Sequence, residues 1–216
     1  MNEEKIRVAV LVSGGGTNLQ AILDAQQSGL IHSAEIVLVV SNHAGVFALE
    51  RAGRAGIPSA VLERKELGGQ TGFEAALDHL LDDYRVDLIV LAGFLSILSA
   101  AFTGRYDHRI LNIHPSLIPS FCGQSFYGLK VHEAALARGV KVTGATVHYV
   151  NEIPDGGEII SQKAVEILPD DTPEILQRRV MEQAEWKLLP AAVEQVSANL
   201  LQERKRKHEQ LCYPPD

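Results

Sequence analysis

The chain has 216 residues, 46 % apolar and 22 % charged, with a formal net charge of −7. That size and composition suit one globular domain with a sizeable core, and the acidic balance argues against a partner held through a nucleic-acid backbone. No apolar run reaches the roughly 20 residues that span a bilayer and Met1–Lys5 does not read as an export signal, so the expected setting is cytoplasmic, without membrane or nucleic acid.

Ile6–Val12 is a β-branched apolar run of strand length that ends in Ser13 and three glycines. Leu19–Gly29 carries apolar residues at helical spacing and stops at a glycine, a natural residue just past a helix end. Ile36–Val40 repeats the buried-strand pattern, a second helix spans about Val46–Ala55, and a short strand follows at Ser59–Leu62. A third helix at about Thr71–Tyr84 leads into the very apolar Asp87–Ala92, and Arg109–His114 reads as a further strand stopped by Pro115. After a helix at Val131–Arg138 the pattern changes. Thr143–Val150 and Glu158–Leu168 read as an antiparallel pair joined by the turn-rich residues 151–157. Thr172 is placed to cap a long final helix, with Pro173 in its first turn, that reaches about Leu201.

Apolar strands without polar alternation, separated by helices, indicate a mostly parallel twisted sheet covered on both faces. The expected fold is therefore α/β and Rossmann-like, with a C-terminal antiparallel extension and a long final helix. We expect a single domain over 1–203 and a charged tail over 204–216, whose basic run Arg204–Lys207 reads as a solvated helix end. Monomer and homodimer both remain open.

Ligands of such sheets bind beyond the carboxyl ends of the strands, where Ser13–Asn18, Gly93–Ser99 and Asn112–Ser116 all fall. Glycines let backbone N–H groups approach an anion, and a helix N-terminus adds a favourable dipole. Ser13–Asn18 lacks the Gly-Lys-Ser/Thr of a Walker loop, and Leu19 occupies the third glycine position of a dinucleotide fingerprint. Two readings remain: a cradle for a small phosphate, or a tight turn with Thr17 or Asn18 as N-cap.

Asn112 and His114 share one face of their strand. They are either a hydrogen-bonded core couple or a site. The functional reading needs a third group to set the imidazole's protonation, and Asp155, in Pro154–Gly157, is the candidate; alone it is equally a turn residue. A carboxylate beside His114 is expected to raise its pKa and favour the cation, and an amide beside an imidazolium makes an oxyanion site for acyl-type chemistry. His148 points either at the same site or into the core. No nucleophile elbow is present, Cys122 has no evident base, and Cys122 and Cys212 read as free thiols. The histidines show no metal spacing, so no metal is expected.

Taken together, V-L-V-S-G-G-G-T-N-L-Q (10–20), L-A-G-F-L-S-I-L-S (91–99), L-N-I-H-P-S-L-I-P (111–119), G-A-T-V-H-Y-V (144–150) and D-G-G-E-I-I-S-Q (155–162) resemble the folate-dependent phosphoribosylglycinamide formyltransferases. The resemblance runs from about Arg7 to Ala192. It implies transfer of a formyl group from 10-formyltetrahydrofolate, the co-substrate, to the glycine amine of a ribonucleotide in purine synthesis. It implies catalytic roles for Asn112, His114 and Asp155, a ribonucleotide site at Gly15, Gly16, Thr17, Asn18 and Glu185, and folate contacts at Leu95, Ser96, Ile97, Leu98, Asn112, Asn151 and Asp155. The partners so implied are small molecules. Three departures stand out: Ser96 where many relatives carry Arg, Glu158 where Pro is usual, and residues 120–128 in place of a histidine-bearing loop.

Rival readings are a deformylase, a methionyl-tRNA formyltransferase and a phosphate-ligand sensor. The first usually brings an N-terminal regulatory domain, for which Met1–Lys5 is expected to leave no room, and the second a basic C-terminal one, which the acidic balance and the short tail are expected to disfavour. The third explains the glycine loop but not Asn112, His114 and Asp155.

Overall fold

The structure, a computed structural model, describes residues 5–212, apart from the side chains at 209, 211 and 212. The Cys212 side chain and the last four residues of the expected tail lie outside the described residues. In chain order the elements are β1 (Ile6–Val12), α1 (Thr17–Gln27), β2 (Ala34–Ser41), α2 (Phe47–Arg54), β3 (Ser59–Val61), α3 (Gln70–Asp83), β4 (Leu88–Leu91) and α4 (Ala100–Arg105). They continue with β5 (Ile110–His114), α5 (Leu129–Arg138), β6 (Val142–Tyr149), β7 (Ile159–Glu166), α6 (Pro173–Val180), a π-helical turn (Met181–Glu185) and α7 (Trp186–Cys212).

The seven strands form one sheet in the order β3-β2-β1-β4-β5-β6-β7. β1 to β5 run parallel, while β6 pairs antiparallel with both β5 and β7. The apolar strands are buried on both faces. On β1, Val8, Val10 and Val12 enter one core, packed with α1 and α7, while Ala9 and Leu11 enter the other, packed with α3 and α4. This two-residue alternation between two dry layers explains why Val8–Val12 shows no alternation of polar and apolar residues.

The strand order reverses at β1, whose neighbours are β2 on one side and β4 on the other. The crevice beyond this reversal is where doubly wound sheets take ligands. The glycine loop after β1 and the irregular segment after β4 both border it, joined by the Leu95 N–H, which donates to Ser13 Oγ at 2.9 Å.

Local differences from the sequence expectations have physical causes. The first helix begins at Thr17, two residues before the apolar periodicity, and its N-cap is Gly16 in the left-handed region, not the Thr17 or Asn18 side chain. α4 has only six residues, too few to show a period, and is started by Ser99, whose hydroxyl accepts the Phe102 N–H. Thr172 caps α6, accepting the Ile175 N–H at 3.3 Å, with Pro173 as first residue. The expected single final helix is divided by the π-helical turn ahead of α7, which carries Pro190. A proline there removes one i→i−4 bond, and a π turn inserts a residue and rotates the helix beyond it. α7 then continues through residues 203 and 204, where Arg204 pairs with Asp87. The sequence reading set the start of a tail at that point. Among the described residues no helix is long and apolar enough to cross a membrane.

Candidate active site

β5 presents Asn112 and His114 beside β6, with Asn112 opposite His148 and His114 opposite Thr146. The antiparallel return of β6 carries the chain into the 151–157 turn, which brings Asp155 back over β5. Asp155 takes a positive φ of 56°. The turn closes tightly: a Cβ on Gly157 would lie 1.7 Å from the Tyr149 carbonyl oxygen, so only glycine fits there. Asn151 braces the turn from within, accepting the Ile153 N–H at 3.0 Å and donating to the Gly156 carbonyl.

The three groups meet. Asp155 Oδ2 lies 3.4 Å from His114 Nδ1 and accepts the Gly123 N–H at 2.8 Å. Asp155 Oδ1 accepts from Asn112 Nδ2 at 3.4 Å and lies 3.6 Å from His148 Nε2. His148 Nδ1 faces the Tyr149 carbonyl at 2.8 Å, which can only accept, so Nδ1 carries the proton and Nε2 accepts from Asn112 Nδ2 at 3.1 Å. Both hydrogens of the Asn112 amide are thereby engaged. His114 Nε2 donates to the Phe121 carbonyl at 2.9 Å. Behind the site, Thr146 Oγ1 donates to the Ser116 carbonyl and accepts from the Ile118 N–H and Gln162 Nε2, fixing the chain just after His114.

The electrostatics correct one expectation. Burial disfavours the imidazolium of His114 and outweighs the Asp155 carboxylate, so its pKa lies below the ordinary value, not above it. Asp155 is itself held below the usual carboxylate range. Burial pushes it up, and the Gly123 N–H is among the contacts that prevail over burial. The Cys122 thiol is pushed up, chiefly by burial and then by Asp155, which disfavours the thiolate, and it donates to the Pro119 carbonyl at 3.3 Å.

The glycine loop forms a second cluster. Gly16 has φ 70°, and a Cβ there would sit 2.7 Å from Ala48 Cβ, so the fold itself demands glycine. Gly14 and Gly15 have no such neighbour within 4 Å. Their open faces leave room for a ligand against the backbone. The loop is pinned by the Ala48 N–H on the Gly14 carbonyl and by Arg51 Nε on the Gly15 carbonyl. Asn18 reaches from the start of α1 to Glu185 on the π-helical turn, donating from Nδ2 at 2.7 Å. Glu185 is fully buried, with no charged partner among the described residues, and its carboxyl is pushed up to about 7.

The residues expected on the folate side differ in exposure. Leu95 and Ile97 stand 61 % and 55 % exposed beside the crevice, and Ile153 on the Asp155 turn is 58 % exposed. Leu98 is buried in the core and Ser96 accepts from Asn42 Nδ2 at 2.8 Å, so neither turns freely outward. Sequence reasoning left His148 open and passed over the Phe121 carbonyl and the Gly123 N–H. The strand register alone sets His148 opposite Asn112.

Residues 6–193 match the formyl transferase family. The chain belongs to the formyl transferases. Among their curated members, the trifunctional purine biosynthetic protein adenosine-3 of Gallus gallus is 48 % identical over 198 residues, 92 % of this chain but 19 % of that protein. The chain thus spans about a fifth of the trifunctional relatives it matches. The phosphoribosylglycinamide formyltransferase of Haemophilus influenzae is 44 % identical over 187 residues, covering 87 % of this chain and 85 % of the relative. Among solved formyl transferase structures, the phosphoribosylglycinamide formyltransferase of Coxiella burnetii in complex with CHES superposes with a TM-score of 0.83 at 42 % identity, over 91 % of this chain and 89 % of that one.

Proposed function

We propose that this formyl transferase moves the formyl group of 10-formyltetrahydrofolate to the glycine amine of 5′-phosphoribosylglycinamide. The observation that carries the reading is the meeting of Asn112, His114 and Asp155 at the carboxyl end of β5, on the crevice that also receives the glycine loop. The exposed Leu95, Ile97 and Ile153 supply an apolar rim that suits a flat heterocycle. Gly14, Gly15 and the start of α1 suit a phosphate monoester, with Asn18 and Glu185 toward the ribose.

The amine attacks the formyl carbon directly, so the chain needs no covalent nucleophile. Asn112 and His114 stabilise the oxygen that gains negative charge. In the structure their hydrogens rest on Asp155, His148 and the Phe121 carbonyl. The 3.4 Å Asn112–Asp155 contact is the longest of these, and it is the one a tetrahedral oxyanion displaces. That oxyanion also supplies the charge that makes a proton on His114 favourable. The His114 ring takes the amine's proton, and Asp155 holds the resulting cation. From His114 or a water the proton passes to folate N10.

The test follows deformylated folate by absorbance with and without the ribonucleotide. Turnover only in its presence supports the transferase. Turnover in its absence identifies a hydrolase, and no turnover in either mixture refutes the reading.

A further inference from the structure

Residues 93–98 make no backbone–backbone hydrogen bond among the described residues. Buried Phe94 and Leu98 anchor the segment below, while Leu95 and Ile97 project outward. Its backbone polar groups and its hydroxyls are held instead by side chains from three other elements. From β1's end, Ser13 Oγ accepts the Leu95 N–H. From β2's end, Asn42 donates to Ser96 Oγ at 2.8 Å. From α3, the Glu74 carboxylate takes both the Ser99 N–H and the Ser99 hydroxyl, each at 2.6 Å. Gln70, itself bonded to Glu74, reaches the Ile97 carbonyl at 3.2 Å. Each of these side chains is already engaged with the segment. None of them is assigned a substrate contact above.

We propose that Glu74, Asn42 and Ser13 are positioning residues that set the shape of residues 94–99 and thereby the affinity for the formyl donor. The inference rests on the functional reading above, which makes this segment the folate side of the crevice. A segment without its own ladder takes its shape from whatever bonds it, so removing a bond frees several residues at once and binding must re-order them. Glu74 dominates because a carboxylate accepting two short bonds is a charge-assisted anchor. Asn42 explains how Ser96 is used here: its hydroxyl is tied back to the sheet end and does not extend over the ligand as a long cation would. Ser13 stands between the two substrate sites, so its loss reaches both.

The test measures KM for both substrates and kcat in the wild type, Glu74→Ala, Glu74→Gln and Asn42→Ala, with thermal melting alongside. Glu74→Ala should raise the formyl-donor KM about ten-fold or more, in line with the loss of a hydrogen bond to a charged group. The ribonucleotide KM and kcat should stay within about two-fold, since the donors and acceptors of the chemistry are untouched. Glu74→Gln, which keeps one acceptor oxygen, should fall between, and Asn42→Ala should shift the donor KM in the same direction. An unchanged donor KM in a folded Glu74→Ala overturns the proposal, as does a parallel rise in both KM values. If Glu74→Ala does not fold, Asn42→Ala decides by the same criterion. Failure of the wild type to transfer the formyl group sinks the functional reading instead, so the two failures are told apart.

Discussion

Replacing Asp155 with Asn keeps the side chain's size and one acceptor oxygen for the Gly123 N–H, but removes the charge 3.4 Å from His114 Nδ1. The fold should lose little, about 1 kcal/mol, because most of the partners can still be bonded. The chemistry should lose far more. Without the carboxylate the imidazolium formed during transfer is both buried and uncompensated, and a fall in kcat of about 10²–10³ is expected, equivalent to about 2.7–4 kcal/mol of transition-state stabilisation. The substitution also carries a spectroscopic signature. Asp155 is the leading influence raising the His114 pKa against burial, so in Asp155→Asn the His114 titration, followed by the imidazole proton resonances, should move further down. Turnover within a few-fold of wild type, or an upward shift of the His114 titration, would refute the assignment of Asp155 as the group that holds the cation.

Gly16→Ala should lower stability by about 1–3 kcal/mol through left-handed strain alone, and more once its Cβ meets Ala48. Gly15→Ala meets no neighbour, so its melting temperature should hold while the ribonucleotide KM rises; denaturation curves and kinetics on the pair separate fold from ligand. Glu185, with its carboxyl raised to about 7, contributes stability that is fully present below the unfolded carboxyl's ordinary value and lost as pH rises through about 7. Glu185→Gln should therefore remove up to about 3 kcal/mol of pH-dependence between pH 4.5 and 8 in urea melts. Cys122→Ser should keep near-wild-type turnover, because the thiol is pushed up and takes no part in the proposed transfer.

The strands of the parallel sheet were legible because burial on both faces leaves a continuous apolar run, as in Val8–Val12 and Leu88–Leu91. So was the shared face of Asn112 and His114, which follows from strand geometry alone. What the sequence hid depends on neighbours in space. His148 joins Asn112 only through the β5–β6 register, which no local pattern specifies. The lowered pKa of His114 depends on how deeply the ring is buried, whereas a reading from residue types sees only the attractive carboxylate. Asn151 is a turn brace because its amide finds partners within its own turn. The π-helical turn that offers Glu185 to Asn18 has no compositional mark beyond the later Pro190.

The bond between Asn18 and Glu185 joins residues 167 positions apart, whereas Asn112, His114, His148 and Asp155 all lie within one strand-pair-and-turn unit. The two halves of the crevice therefore differ in how they are assembled during folding. The Asn112–His148–Asp155 cluster closes over separations of 36 and 43 residues and can form as soon as β5 and β6 pair, but the Asn18–Glu185 bond waits for nearly the whole chain, since closing so long a loop costs more chain entropy and comes later. Undocking α7 and the π-helical turn from α1 would take Glu185 from Asn18 without breaking the β5–β6 pairing itself. Local opening of the C-terminal helices should thus release the ribonucleotide side before the transfer geometry is lost.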